Sequence, residues 1–498
     1  MGPESGLWHA VEGRSASVPV MNFVVFVNGV GLLFSAALML MDAAIFPATR
    51  TLFVESALLT GFPGVILALA SASRFSEVTR LHGFLLTSSI WVTAALAGAV
   101  PLAMFGLTPV DALFEAMSGI TTTGATVMSG LDATPRGILL WRATLQAVGG
   151  VGFIVTGIAL LPVLRVGGMQ LFQTESSDRS DKVTGTAATF ALATLAVYLG
   201  LMGLCAVFYA AGGMGVFDAI THAMTTLSTG GYSNYDASFG HFTGSYLQWV
   251  ATGFMLAGAL PFAWYIRAWR RGAIASEQVA AMFKTLAVVI AVLTAWLCWS
   301  HHILLPDALR LVAFNVVSVV TTTGYATTDY TLWGPVAQVA FLALTLVGGC
   351  TGSTSGGAKA MRWLLFARAL RVAVRKVHAP HSVQQIRYEG RRVTPDVLNG
   401  VMAFFVFYAV TASILSVILA FLGMDLVAAV SGALTALANV GPGLGAVIGP
   451  AGNFEPLGWA AKLVLTAGMY LGRLEILTVY VLLMPAFWRE THRAERQV

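Results

Sequence analysis

Long apolar runs alternate along the chain with short polar connections. Each run is long enough to cross a bilayer as a helix, for which about 20 apolar residues suffice. Ten such runs cover residues 20–46, 52–73, 83–105, 138–164, 185–211, 244–268, 280–300, 334–372, 395–422 and 458–487. An even number of spans predicts that both termini lie on the same side of the membrane. The pattern predicts an all-α polytopic membrane protein.

A second kind of apolar segment follows the third, fifth, seventh and ninth runs. Each segment has about 12–17 residues, too few to span, starts at an aspartate and leads into a polar strip that contains glycine. The four read DALFEAMSGITTTGAT from Asp111, DAITHAMTTLSTGGYS from Asp218, DALRLVAFNVVSVVTTTGYA from Asp307 and DLVAAVSGALTALANVGPGLG from Asp425. We interpret each as a re-entrant helix followed by a loop at membrane depth. The aspartates suit helix N-caps, and attraction of cations to the outer mouth is the alternative role.

These segments define an internal repeat. Gly124, Gly230, Gly324 and Gly441 align at separations of 94 to 117 residues. Each unit consists of a span, a short helix, a polar strip and a second span, so successive units enter the membrane in the same orientation. Such a parallel arrangement suits a ring around one axis. The predicted divisions are an extra N-terminal helix pair at 1–80 and four repeats at 81–166, 184–272, 276–376 and 393–498.

Composition and charge support the membrane assignment. Hydrophobic residues make up 57% of the 498 residues and charged residues only 10%, against roughly 25% charged residues in soluble domains. The net charge of +5 comes from basic residues in loops on one face, which indicates positive-inside topology with cytoplasmic termini rather than nucleic-acid binding. The cysteines Cys205, Cys298 and Cys350 have no metal-like spacing.

The polar strips are candidates for a cation filter. Non-helical backbone at membrane depth is tolerated where protein buries it or where it lines a watery path. A ring of backbone carbonyls can replace the hydration shell of a monovalent cation, and each short helix adds up to about half a negative charge if its C-terminus points at the axis. An ordinary turn is the alternative, but four copies at matching places disfavour it. The predicted filter residues are Thr122, Thr123, Gly124, Ser228, Thr229, Gly230, Thr322, Thr323, Gly324, Asn439, Val440 and Gly441.

The run at 334–372 is too long for one plain span and contains the sequence GGCTGSTSGGAK from Gly348 to Lys359. Because each glycine costs a helix roughly 1 kcal/mol relative to alanine, we expect a break just inside the strips. A nucleotide-binding loop is disfavoured, since Ala358 precedes Lys359 and Ala360 replaces the hydroxyl residue that would hold magnesium. We interpret the segment as a gate in the conduction path, formed by Gly348, Gly349, Cys350, Thr351, Gly352, Ser353, Thr354, Ser355, Gly356 and Gly357.

Ionisable residues interrupt the last apolar run. Arg473 and Glu475 lie inside it, and intramembrane charges usually mark function. We predict that Arg473 acts as a gate or an electrostatic barrier. The alternative is a structural role, in which Arg473 pairs with Glu475 or with exposed loop carbonyls. Lys359 is expected to extend to the cytoplasmic surface.

The strips TTTGAT, LSTGGYS, TTTGYAT and NVGPGLG closely resemble the four pore loops of the TrkH/KtrB/HKT superfamily of potassium transporters, and nearly the whole chain fits that pattern. The resemblance implies K⁺ as the transported ion, with selectivity from a glycine in every loop. It implies that Gly348–Gly357 is an intramembrane gating loop beside Arg473. The fourth strip departs from the pattern, with Ala438, Asn439 and Val440 before Gly441, so a symmetric ring of hydroxyl groups is not expected.

The same resemblance implies partners and a location. We expect a homodimer in a bacterial cytoplasmic (inner) membrane, surrounded by lipid, with a cytosolic TrkA-type ring that binds the regulatory nucleotide. The loop from Leu171 to Lys182 mixes both charge signs, and a solvated loop is one interpretation. The other, which the resemblance implies, is a loop that faces the ring and forms a docking surface together with the basic run from Arg362 to Arg392.

Two other classes of function would need residues that the chain has only in part. A cation-coupled secondary symporter needs paired carboxylates or unwound helices at the midplane, and the chain offers only Glu115 and Glu475 as candidates. An intramembrane enzyme needs a catalytic constellation, but His222 is isolated and His301 and His302 lie at a span end. We therefore expect no catalysis and no cofactor beyond the transported ion.

Overall fold

The computed structural model describes residues 20–72, 80–160, 187–381, 384–485 and 487–489, and these residues are mostly helical. The predicted docking loop from Leu171 to Lys182 lies outside them. The helices are α1 (Val20–Ile45), α2 (Arg50–Ala70), α3 (Arg80–Phe105), α4 (Pro109–Ile120), α5 (Arg136–Leu160), α6 (Ala187–Ala211), α7 (Val216–Leu227), α8 (Ser245–Ala259), α9 (Phe262–Arg271), α10 (Glu277–His301), α11 (Leu305–Val320), α12 (Pro335–Thr345), α13 (Ala360–His378), α14 (Pro395–Phe421), α15 (Leu426–Ala438), α16 (Trp459–Arg473) and α17 (Leu477–Leu483). Strands β1 (Arg387–Tyr388) and β2 (Arg391–Arg392) form a short antiparallel hairpin.

The long helices match the predicted apolar runs. Within the described ranges, six helices are long and apolar enough to cross a membrane, and eight spans result if each of two bent pairs is one span. The six are α1, α2, α3, α6, α10 and α14. The predicted run at 138–164 corresponds to α5, whose predicted end lies beyond the described residues. The predicted run at 334–372 is divided between α12 and α13.

Two runs predicted as continuous spans are bent, so that part of the prediction is wrong. The pair α8 and α9 bends by 91° at Pro261, which has no N–H group to continue the helix. The pair α16 and α17 bends by 109°, where Glu475 and Ile476 have φ values of 57° and 24°. Positive φ at these non-glycine residues is incompatible with a right-handed helix.

The four short helices α4, α7, α11 and α15 lie in the interior, and each follows a long helix in the chain. Most of their residues are buried. The N-cap prediction holds for Asp425, whose carboxylate accepts hydrogen bonds from Val427 N at 3.1 Å and Ala428 N at 3.2 Å. It is wrong for Asp111, Asp218 and Asp307, because those helices begin earlier and the aspartates lie in the first turn. Negative charge in the first turn still interacts favourably with the helix dipole.

The N-terminal pair α1 and α2 packs against the first unit. Phe53 of α2 and Trp141 of α5 are buried, and their rings make an edge contact with centroids 5.8 Å apart. Further buried clusters join the short helices to the long helices around them. The strips that follow the short helices are thereby held inside the bundle.

Candidate functional site

The four strips share one backbone conformation. Each contains two residues with positive φ, separated by one residue. These φ values are 56° and 83° at Thr122 and Gly124, 52° and 74° at Thr229 and Gly231, 58° and 82° at Thr322 and Gly324, and 54° and 107° at Asn439 and Gly441. The common conformation arises although the fourth strip has no threonine, so the backbone geometry does not depend on hydroxyl side chains.

The structure shifts the alignment of the second strip with the other three by one residue. The residue between the two positive-φ positions donates its N–H to a carbonyl five residues earlier. These bonds are Thr123 N to Ser118 O at 2.8 Å, Gly230 N to Thr225 O at 2.9 Å, Thr323 N to Ser318 O at 2.8 Å and Val440 N to Thr435 O at 3.0 Å. Gly230 therefore corresponds to Thr123, and Gly231 corresponds to Gly124. The prediction that Gly230 and Gly124 align is wrong because two glycines are adjacent here and spacing alone does not choose between them.

The positive-φ glycines also mark the contacts between strips. A Cβ added at Gly124 would collide with the carbonyl oxygen of Gly230 in the second strip. The equivalent collisions are Gly231 with Thr323 O, Gly324 with Val440 O and Gly441 with Thr123 O. The contacts run from the first strip to the second, third and fourth and back to the first. The four strips therefore form a closed cycle in which backbone approaches backbone and only glycine fits.

A cavity of about 480 Å³ adjoins this cycle. Its lining includes Gly124, Gly231, Gly324 and Pro442, one residue from each strip, together with the loops that follow the strips. Asp236 in this lining accepts hydrogen bonds from Gly130 N at 2.9 Å and Leu131 N at 3.0 Å. The cavity touches all four strips.

A buried ion pair supports the first strip. Arg142 Nε lies 2.9 Å from Glu115 Oε1, and both side chains are almost fully buried. Arg142 also donates to Thr126 Oγ1 at 3.2 Å in the first strip and to Ser233 O at 2.9 Å in the second. Glu115 accepts a hydrogen bond from Val127 N at 2.9 Å. One buried pair thus fixes two neighbouring strips.

Gln146 connects α5 to the second strip. Its Nε2 donates to Gly230 O at 2.7 Å, and its Oε1 accepts from Tyr232 N at 3.0 Å. Gln146 is fully buried, so both bonds form away from water. Sequence reasoning missed Arg142 and Gln146, although two polar residues four positions apart inside an apolar run are a signal that they share a helix face toward a polar site.

The predicted break in the 334–372 run is present between Thr345 and Ala360. The intervening loop lies against the inner ends of three units. Thr354 Oγ1 lies 3.0 Å from Leu227 O of the second unit. Gly356 N donates to Thr322 Oγ1 at 2.7 Å in the third unit, and Gly357 N donates to Ala438 O at 2.8 Å in the fourth. The side chains from Ser353 to Ser355 are fully buried.

Arg473 connects the loop to the remaining unit. Its Nη1 donates to Thr354 O and its Nη2 donates to Gly149 O of α5, both at 3.0 Å. The predicted alternative of a pair with Glu475 is wrong, because Glu475 pairs with Arg362 at 2.7 Å. The alternative of binding to loop carbonyls agrees with the bond to Thr354 O.

The side chain of Lys359 does not lie where the sequence predicts. It is only 4% exposed and donates to the carbonyl of Ser355, so it does not extend to the cytoplasmic surface. Its φ of 72° turns the chain just before α13, and the side chain folds back onto the loop.

The loop also contacts the bent pair α8 and α9. Cys350 N donates to Ala259 O, and Phe262 N donates to Gly352 O, both at 3.0 Å. Ala259 ends α8 and Phe262 begins α9, so the loop supplies hydrogen-bond partners on both sides of the break at Pro261. The bend and the loop form one connected structure.

Comparison with known proteins identifies relatives over almost the whole chain. The TrkH family, described as cation transport protein, matches residues 54–285 and 273–489. The Trk system potassium uptake protein TrkI of Halomonas elongata is 49% identical over 413 residues, covering 82% of this chain and 84% of that protein. TrkH of Escherichia coli, also a Trk system potassium uptake protein, is 34% identical, covering 91% of this chain and 94% of that protein.

A solved structure has the same fold. The crystal structure of the potassium transporter TrkH from Vibrio parahaemolyticus superimposes with a TM-score of 0.86 at 31% sequence identity, covering 94% of this chain and 99% of that chain. This match confirms the all-α membrane fold that the apolar pattern predicts. By sequence and by structure, the chain belongs to the TrkH family of cation transport proteins.

Proposed function

We propose that this chain takes up K⁺ through a filter formed by the four strips, with the loop from Gly348 to Gly357 as its gate. The closed cycle of strip contacts carries the proposal. It brings four strips with the same backbone conformation together beside a cavity that touches all of them. The relatives that are named potassium uptake proteins support K⁺ as the transported ion.

The chemistry of the filter follows from its backbone. Carbonyl oxygens of the strips replace the water around a monovalent cation, and the C-terminal ends of α4, α7, α11 and α15 lead directly into the strips, where their dipoles favour positive charge. The corrected filter set contains Gly231 with Gly124, Gly324 and Gly441. At a membrane potential of 100 mV the field supplies about 2.3 kcal/mol per charge, so uptake needs no coupled reaction.

The gate follows from the contacts of the loop. Thr354, Gly356 and Gly357 bond to the inner ends of the second, third and fourth units, and Arg473 bonds the loop to α5 of the first unit. Ions that leave the filter inward meet this loop and a buried positive charge. The loop must therefore release some of these bonds for conduction.

We also propose a location and partners for the chain. The chain operates as a homodimer in a bacterial inner membrane, with both termini in the cytoplasm. A cytosolic TrkA-type ring that binds nucleotides controls the gate. The relatives named as parts of a Trk system support a multi-component assembly. Exposed basic residues near the end of α13, among them Arg375 and Lys376, support a cytosolic docking surface.

The test is flux into liposomes that contain the purified chain. We expect rubidium to enter faster than sodium, driven by voltage alone. Gly124→Ser should impair this selectivity, since a side chain there collides with Gly230 O. Gly213→Ser is the matched control, because Gly213 also has positive φ but has open space around it. Equal rubidium and sodium flux in the unaltered chain would refute potassium selectivity, and flux that requires a proton or sodium gradient would indicate a symporter.

A further inference from the structure

The helix α9 has an unusual position and composition. It leaves α8 at 91°, and its sequence FAWYIRAWRR combines aromatic residues with three arginines. Phe262 and Ala263 are buried against the protein, whereas Trp269 is 93% exposed and Arg270 is exposed. The start of the helix is therefore packed against the protein, and its C-terminal end is directed outward with an aromatic ring and positive charge.

The length of α8 sets the depth of α9. In the proposed topology α8 starts at the outer surface, and its 15 residues rise about 22 Å. The hydrocarbon core is about 30 Å thick, so the 91° bend directs α9 sideways near the cytoplasmic boundary. Amphipathic helices with Trp and Arg lie in this layer, with their apolar face about 5–10 Å deep.

Two arginines of α9 lack an acidic partner among the described residues. In the part of the chain that the structure describes, neither Arg267 nor Arg270 forms an ion pair. The Nε and Nη2 atoms of Arg267 are shielded from solvent and have no hydrogen-bond partner among those residues. A headgroup does not reach these two atoms in this side-chain position, so Arg267 contributes its positive charge beside the exposed Arg270.

We propose that α9 binds anionic phospholipid headgroups of the cytoplasmic leaflet through Arg267 and Arg270, with Trp269 inserted beside them. The cytoplasmic leaflet is the anionic one, so its charge complements that of the helix. Trp264 Nε1 donates to Ile274 O at 2.9 Å, which holds the following turn against α9. The exposed Ile274 then extends the apolar surface toward the lipid.

This binding site is connected to the proposed gate. Phe262 N at the start of α9 donates to Gly352 O of the loop, and Tyr265 OH donates to Ala257 O of α8 at 2.8 Å. A headgroup that holds α9 at the interface also holds the bend to which the loop bonds. Anionic lipid should therefore stabilise the closed loop and lower basal flux; this consequence rests on the proposed gate, whereas lipid binding rests only on the proposed topology.

The binding test uses fluorescence quenching in liposomes of phosphatidylcholine mixed with brominated phosphatidylglycerol or, in a parallel series, with brominated phosphatidylcholine. The fluorescence of Trp269 is obtained by subtracting the fluorescence of the Trp269→Phe variant from that of the unaltered chain. We expect stronger quenching by the brominated anionic lipid, and a preference about fivefold weaker for each of Arg267→Gln and Arg270→Gln. Arg270→Lys should keep the preference, since it keeps the charge.

Arg375→Gln with Lys376→Gln is the matched control, because these exposed basic residues lie on α13, away from the bend. Equal quenching by both lipids would overturn the proposal, and so would a control variant that loses the preference as far as the α9 variants do. Rubidium flux measured in the same liposomes should fall as the anionic fraction rises in the unaltered chain but not in the double arginine variant. Lipid-independent flux together with selective quenching would refute only the connection to the gate.

Discussion

Arg473 donates a hydrogen bond from Nη1 to the carbonyl oxygen of Thr354 at 3.0 Å, and from Nη2 to Gly149 O at the same distance. The bonds join the loop of the third unit to α5 of the first unit through a residue of the fourth. Arg473 is only 3% exposed, so water does not compete strongly for these carbonyls. Its bonds to carbonyls of two different units account for an arginine at this buried position.

Removal of this connection should open the gate more often. Hydrogen bonds to a charged group contribute about 1.5–3 kcal/mol each, so Arg473→Gln should raise basal rubidium flux at least about tenfold per bond lost. Liposome flux with the purified chain measures the change. Arg310→Gln is the control, since Arg310 pairs with the partly exposed Asp307 and does not touch the loop. Unchanged flux in Arg473→Gln would contradict the gating role.

Thr354 gives a second test of the same loop without any change in charge. Its Oγ1 lies within hydrogen-bond distance of Leu227 O and Gly258 O, and Thr229 Oγ1 donates to it at 3.2 Å. Thr354→Val keeps the shape and removes these bonds, so we expect severalfold higher basal rubidium flux. Thr351→Val is the matched control in the same loop, because among the described residues Thr351 bonds through its main chain alone, to Gln278. Equal flux in the two variants would show that the side-chain bonds of Thr354 do not hold the loop.

The sequence predicted the elements better than their directions. The apolar runs, the short helices and the break between Thr345 and Ala360 are all visible in composition, because hydrophobicity and glycine content act locally. The bends at Pro261 and Glu475 were missed, since each occurs inside an apolar run whose composition alone fits a straight span. Their backbone groups find partners in distant segments, such as Gly352 for Phe262, and such partners cannot be seen from local sequence.

The strips show the same limit at the scale of single residues. Repeat spacing located all four strips, but the choice between Gly230 and Gly231 depends on which residue bonds back to the short helix. Lys359 was expected at the surface because long cationic side chains usually extend there. Its positive φ and its bond to Ser355 O direct it inward instead.

The buried pair of Glu115 and Arg142 should matter for stability more than an exposed pair. Loss of one partner from a buried ion pair costs about 3–5 kcal/mol, so Glu115→Gln should lower the free energy of unfolding in detergent by an amount of this order. Asp307→Asn is the control, because Asp307 and Arg310 form a partly exposed pair, and such pairs contribute about 0–1 kcal/mol. Denaturant titration of both variants makes the comparison, and similar losses would contradict the structural role of Glu115.

Gly231 and Gly230 should respond differently to the same substitution. Gly231 has a φ of 74°, and its added Cβ would meet the main-chain oxygen Thr323 O, which cannot move without displacing the third strip. Gly230 lacks positive φ, and the three atoms nearest its added Cβ all belong to the side chain of Gln146. Gly231→Ala should therefore abolish selective rubidium flux, while Gly230→Ala should reduce it through a collision that a second substitution can relieve.

A double-mutant cycle separates these two causes. Gln146→Ala alone should weaken flux, because it leaves Gly230 O and Tyr232 N without their partner. The double variant Gln146→Ala with Gly230→Ala should give more flux than the sum of the two single effects predicts. Gln146→Ala removes the atoms that the new Cβ meets, and substitutions at contacting residues are often not additive. Combined with Gly231→Ala it should give no recovery, because the obstacle there is backbone. Recovery with Gly231→Ala but not with Gly230→Ala would reverse the alignment of the second strip and return Gly230 to the filter position.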